Sequence, residues 1–253
     1  MKVFLIASLF FLFFFRGPGF FSLAAAPIVD SEIKERAAPR EVAVETNIKG
    51  SPQPVMVFLG DNVTAGTSAK ILDLESPELS FPAVLQEKMN VTVINSGFKW
   101  ATAAIALGHI ENAVFQHEPD MVVINLGLID FLTKTPPRET GDNLQTLITA
   151  LDNGTRKIFL VRFYDEYILR ANMNHMGLRE QEQLNLLSEY NGIFRNLSAR
   201  NNIELITGIW EGLDYGYNIA SDFLNPTAEG HQVMAANIFK FLEPELKTKN
   251  LLK

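Results

Sequence analysis

The sequence predicts an α/β fold: a three-layer α/β/α sandwich in which helices cover both faces of a five-stranded parallel sheet. Three observations carry this. Short apolar runs alternate with longer segments of helical spacing. The runs are apolar throughout, as strands buried on both faces must be. Gly60, Gly97 and Gly127 follow the ends of three of them, where a chain turns out of a sheet.

The elements follow in order. Residues 55–59 form a short apolar run ending at Gly60 and read as the first strand. Residues 81–89 have helical spacing, with Pro82 tolerated in a first turn. Residues 91–95 are β-branched and read as the second strand. The alanine-rich stretch 101–115 is helical and 121–126 is the third strand. Residues 142–151 form a helix closed by Asp152-Asn153-Gly154, and 157–162 are the fourth strand. A long helix over 180–200 precedes a short fifth strand at 203–206. The last helix spans 226–242, with Asn225 placed as its N-cap. Ligands of such sheets bind beyond the carboxyl ends of the strands, so residues 60–62, Gly97 and 127–130 converge on the edge where a site is expected.

Bulk properties narrow the setting. With 253 residues, 47% of them hydrophobic, the chain has material for one ordinary domain, expected over 53–253. It has no cysteine, so it has neither disulfides nor thiolate metal ligands. Lys2 precedes an apolar run over 3–15 that is too short to span a bilayer comfortably, and Ser22-Leu23-Ala24 supplies small residues for cleavage. Residues 1–24 therefore read as a signal peptide for a secreted or periplasmic protein with no stable membrane insertion once it is cleaved; an uncleaved membrane anchor is the alternative, against which Arg16-Gly17-Pro18-Gly19 interrupts a longer helix. Residues 25–52, rich in charge and carrying Pro27, Pro39 and Pro52, read as a linker. Cleavage would remove Lys2 and Arg16 and no acids, taking the net charge from −7 to −9. An acidic exported domain is a poor partner for nucleic acid or anionic lipid surfaces.

Residues 55–66, Val-Met-Val-Phe-Leu-Gly-Asp-Asn-Val-Thr-Ala-Gly, resemble the first block of the SGNH (GDSL-type) hydrolases, of the lysophospholipase and acyl-CoA thioesterase I-like (arylesterase) branch. The resemblance covers roughly residues 54–245 and implies a flavodoxin-like fold and ester hydrolysis. It also implies three departures. Asn62 stands where the family has its nucleophilic serine. Ile129 replaces the oxyanion asparagine, beside a retained Asp130. Asn225 replaces the catalytic histidine, three residues after a retained Asp222. Gly60, Asp61 and Gly97 fit the family's blocks, and the resemblance makes the Gly97 N–H an oxyanion donor.

Each replacement is chemically severe. A carboxamide is a poor nucleophile, isoleucine donates no hydrogen bond, and asparagine cannot shuttle a proton near neutral pH. Losing one oxyanion donor costs roughly 3–4 kcal/mol of transition-state stabilisation. Losing nucleophile or base alone is about as damaging as losing the whole triad.

Other residues compete for roles at this edge. Thr64 and Ser68 carry hydroxyls near the turn, and His231 follows Asn225 on the last helix, where a helix-face role is expected. His109, His117 and His175 show no metal-ligand spacing, so neither metal nor cofactor is expected. Asp61, Trp100 and Tyr164 are the candidate binding residues. Trp100, in Lys99-Trp100-Ala101, stands where many relatives carry small residues, and Tyr164 belongs to the aromatic stretch 163–167 after the fourth strand. Asn62, Asn90, Asn153 and Asn196 each begin a glycosylation sequon.

The reading that joins these features is an exported hydrolase-fold protein without catalysis, which binds a ligand or partner of acyl, lipid or carbohydrate chemistry. Two alternatives stay open: an active carboxylic-ester or lipid hydrolase using Thr64, Ser68 or His231, and a cell-envelope carbohydrate-binding or assembly protein using Trp100.

Overall fold

A computed structural model of the chain describes residues 53–66, 77–164, 166, 180–214 and 225–253. The expected signal peptide and linker, together with Ser68, His175 and Asp222, lie outside the described residues.

Five strands, β1 (Val55–Gly60), β2 (Thr92–Gly97), β3 (Met121–Asn125), β4 (Lys157–Val161) and β5 (Glu204–Ile206), form one parallel sheet in the order β2-β1-β3-β4-β5. Met56 to Leu59 and Met121 to Ile124 are fully buried, as the unbroken apolar runs require. Each such side chain contributes roughly 1.5–3 kcal/mol by leaving water. The register aligns Gly60 with Gly97 on one side and with Asn125 on the other. The chain runs from β1 to β2 in one direction and then crosses back from β2, past β1, to β3, β4 and β5 in the other. The order thus reverses at β1/β3, the crevice where sheets of this kind hold ligands.

Helices α1 (Asn62–Ala65) and α2 (Phe81–Gln86) link β1 to β2, and α3 (Ala103–Gly108) and α4 (Ile110–Ala113) link β2 to β3. Next come α5 (Leu128–Leu132), α6 (Pro137–Leu151), α7 (Glu180–Asn201) and α8 (Ala228–Thr248). Helix α6 packs against α3 and α7, while α8 packs against α2. The β1-to-β2 crossover and the β2-to-β3, β3-to-β4 and β4-to-β5 crossovers run in opposite directions along the sheet, which with the right-handed rule puts these two groups on opposite faces.

Three elements depart from expectation, at four points, for local reasons. The helix expected over 101–115 breaks at His109, after Gly108, a residue with the poorest propensity short of proline. Helix α6 starts five residues early because Pro137 sits in its first turn, where no N–H is needed. The cap of α8 is Thr227, whose hydroxyl receives the Gly230 N–H at 3.2 Å, so Asn225 lies outside the helix. Helix α8 also runs through Pro244 to Thr248, because burying Leu246 outweighs one lost backbone hydrogen bond.

Candidate functional site

The edge beyond β1, β2 and β3 is built from a single turn. Asp61 has extended backbone and caps α1, its carboxylate accepting the Val63 N–H at 3.0 Å. Helix α1 then ends after one turn at Gly66 in the left-handed conformation. The turn lies directly on the strand ends. A Cβ at Gly97 would fall 2.2 Å from the Ala65 nitrogen, and one at Gly60 would fall 2.0 Å from the Thr64 hydroxyl. Both positions need glycine for close approach.

Two carboxamides tie the turn down. Asn125 Nδ2 donates to Thr64 Oγ1 at 2.9 Å. Asn95 Nδ2 donates to the Thr64 carbonyl at 2.9 Å and to Ser80 Oγ at 3.1 Å, and its Oδ1 receives the Gly97 N–H at 3.0 Å. The Gly97 amide is therefore committed to Asn95 on its own strand. The N–H that donates to position 62 is that of Trp100, which reaches Asn62 Oδ1 at 2.6 Å. Trp100 is the residue that sequence reasoning missed as a donor, because the group involved is main chain. A polar asparagine at the end of each of two buried strands was the available signal for the cross-ties.

The remaining expected residues are placed as follows. Asn62 is buried, at 4% exposure, and opens α1. Ile129 is 1% exposed, in the first turn of α5, behind Gly127 at φ +108. Asn225 is buried immediately before Pro226. Trp100 is 60% exposed and holds φ +60. Tyr164, expected along the edge, is instead buried, with its ring edge-on to Trp210 at 5.1 Å and tilted on Phe163. The long apolar rings of this stretch gain more from the core than from a rim.

Asp130 is a scaffold residue. Its Oδ2 accepts the Ala103 N–H at 3.0 Å, joining α5 to the start of α3, and its Oδ1 accepts from Thr140 Oγ1 at 3.1 Å. The Thr140 hydroxyl meets Tyr190 OH at 3.3 Å, and that phenol donates to the Thr135 carbonyl at 2.6 Å. Burial raises the Asp130 pKa, against these hydrogen bonds. Burial also pushes Asp61 up to about 7, opposed by the Val63 amide and reinforced by the nearby Asp130 charge.

The rival catalytic groups are otherwise engaged. Thr64 is fully buried under the turn, with its oxygen on Asn125. His231 is buried in the first turn of α8, and its Nδ1 accepts the Phe81 N–H at 3.3 Å. The lone pair a base would use is thus occupied, and burial lowers the pKa to about 4. Of the sequons, Asn153 and Asn196 are exposed, whereas Asn90 donates to the Leu252 carbonyl at 2.6 Å and Asn62 has no room for a glycan. Among the described residues no helix is long and apolar enough to cross a membrane.

Comparison with known proteins agrees with this geometry. Residues 58–233 match the model of the GDSL-like lipase/acylhydrolase family. An arylesterase from Vibrio mimicus is 32% identical over 106 residues, which span 42% of this chain and about half, 52%, of that relative. Two crystal structures share the fold. The psychrotrophic esterase EstA from Pseudoalteromonas sp. aligns with a TM-score of 0.62 at 18% identity, covering 76% of this chain and 98% of that one. The lipase/acylhydrolase from Enterococcus faecalis aligns at 0.59 and 22% identity, covering 79% and 97%. With its fold and more than half its length matched, this chain belongs to the GDSL-like lipase/acylhydrolase family.

Proposed function

We propose that this protein is a catalytically silent member of its family that has kept the strand-end edge for binding. The observation that carries the reading is the state of position 62. A buried carboxamide stands there, its oxygen already hydrogen-bonded to a backbone amide, so it offers neither a nucleophile nor a proton for a base to remove. The neighbouring positions support it, since Ile129 donates nothing and Asn225 cannot act as a base. Thr64 and His231 have their hydrogen bonds elsewhere, which argues against a rearranged hydrolase.

The test is hydrolysis of short- and medium-chain p-nitrophenyl esters, run beside the triple variant Asn62→Ser, Ile129→Asn, Asn225→His. The native protein is expected to be silent and to resist labelling by a fluorophosphonate. Native turnover that disappears on Thr64→Ala or His231→Ala would overturn the reading.

The 60% exposed indole of Trp100 favours a carbohydrate ligand in particular, since a flat apolar face in water suits the C–H face of a sugar ring. Binding to a glycan array that is lost on Trp100→Ala is the expected result. The segment 1–24 supports export, checked by the N-terminal sequence of protein recovered outside the cell, which should begin at Ala25.

A further inference from the structure

Deepening the reading just proposed, and resting on it, we propose that Asn62 is a built-in occupant of the oxyanion position, and that its carboxamide latches the strap carrying Trp100. Three features of the geometry lead there.

The first is direction. A donor that serves a tetrahedral intermediate must be a preorganised N–H aimed beside the nucleophile's side chain. The Gly97 amide is spent on Asn95, while the Trp100 amide is aimed at the side chain of residue 62. The atom that receives it is a carbonyl oxygen, the same acceptor chemistry that an acyl substrate would bring. The donor is therefore satisfied from within, and no external carbonyl can use it while Asn62 is in place.

The second is the strap itself. Residues 98–103 are pinned at three points. The Phe98 N–H goes to the Gly60 carbonyl at 3.1 Å, the Trp100 N–H to Asn62 Oδ1 at 2.6 Å, and the Ala103 N–H to Asp130 Oδ2 at 3.0 Å. The three acceptors lie at the end of β1, in the first turn of α1 and in α5, and the Asn62 bond is the central one.

The third is backbone conformation. Trp100 holds φ +60, which a residue with a large side chain rarely adopts unless its surroundings hold it there. The bond to Asn62 supplies that hold and fixes the indole outward, 60% exposed. A serine at position 62 is shorter by a carbonyl group and leaves the strap without its middle anchor. Asn62 is on this account a positioning residue for Trp100, and the loss of the nucleophile and the display of the indole are one event.

The experiment is amide hydrogen exchange at Trp100, read by NMR in the full chain and in three variants. In the parent the Trp100 amide is expected to be protected at least tenfold over an unstructured amide despite its exposed side chain. Asn62→Ala and Asn62→Ser should lose that protection. Asn62→Asp keeps a carbonyl acceptor and should retain most of it. Acrylamide quenching gives a second readout, because the other tryptophan, Trp210, is buried with its indole N–H on the Phe163 carbonyl and reports whether each variant is folded. Two results would overturn the latch: an unprotected Trp100 amide in the parent, which needs no variant to fold, or unchanged protection in a folded Asn62→Ala. Either outcome leaves the ester assay to decide catalysis separately, so the two proposals fail independently.

Discussion

The turn at 60–66 and the start of α5 at 127–133 each carry a residue that departs from the pattern expected of the family, and the two are accommodated in opposite ways. In the turn, Asn62 gained a partner, the Trp100 amide at 2.6 Å. In α5, Ile129 gained none and went into the core at 1% exposure, while Asp130 beside it holds α3 and α6 through Ala103 and Thr140. One departure thus serves as a hydrogen-bonding group and the other as packing. The two should answer differently to reversal.

The sharpest contrast is Ile129→Asn. It removes a buried apolar side chain and puts an amide in its place, for an expected loss of about 3–4 kcal/mol by urea denaturation. A cost under 1 kcal/mol would mean that the position still opens to solvent. Asp130→Ala should follow, at about 2–3 kcal/mol, because it strands the buried Ala103 N–H and leaves the Thr140 hydroxyl without its acceptor.

The pH dependence separates the regions in another way. Asp61 titrates near 3.8 unfolded and about 7 folded, so its contribution is fully present below pH 3.8 and is lost as pH rises through 7. His231 has the opposite sign: with 6.5 unfolded and about 4 folded, its contribution is present above 6.5 and is lost as pH falls through 4. Relative to the parent, Asp61→Asn should gain stability as pH rises from 4 to 7, and His231→Phe should gain it as pH falls from 6.5 to 4. Each difference is on the order of 3–5 kcal/mol at about 1.4 kcal/mol per pKa unit. Parallel profiles for parent and variants would remove both residues from the account.

Smaller effects test the turn alone. Asn62→Ala deletes one neutral hydrogen bond and should cost about 1 kcal/mol. Trp100→Gly should stabilise by about 0.5–1 kcal/mol, since glycine adopts φ +60 without strain. A destabilising glycine would show that the indole packs more than its 60% exposure implies.

The sheet was legible because unbroken apolar runs that alternate with helices suit a parallel sheet covered on both faces, and all five strands were anticipated within a few residues. Helix ends were less so, since their limits depend on tertiary burial: α8 continues past Pro244 for the sake of Leu246. At the site, side chains were readable and main-chain groups were not. Position 62 could be named from the motif, but nothing in a sequence tells which amide points at it, so Gly97 was expected where Trp100 serves. The burial of Tyr164 on Phe163 and Trp210 was not legible, because an aromatic residue after a strand suits rim and core equally until its neighbours are placed.

The contact between α1 and the strand ends has a consequence for engineering. Gly60 and Gly97 admit no Cβ, so the backbone path of the turn is set by steric contact and not by whichever side chain occupies position 62. New chemistry can then be installed as a set of side-chain replacements on a fixed template, with no loop to rebuild. The practical limit on such a library is the pair of glycines, which must be left out of it.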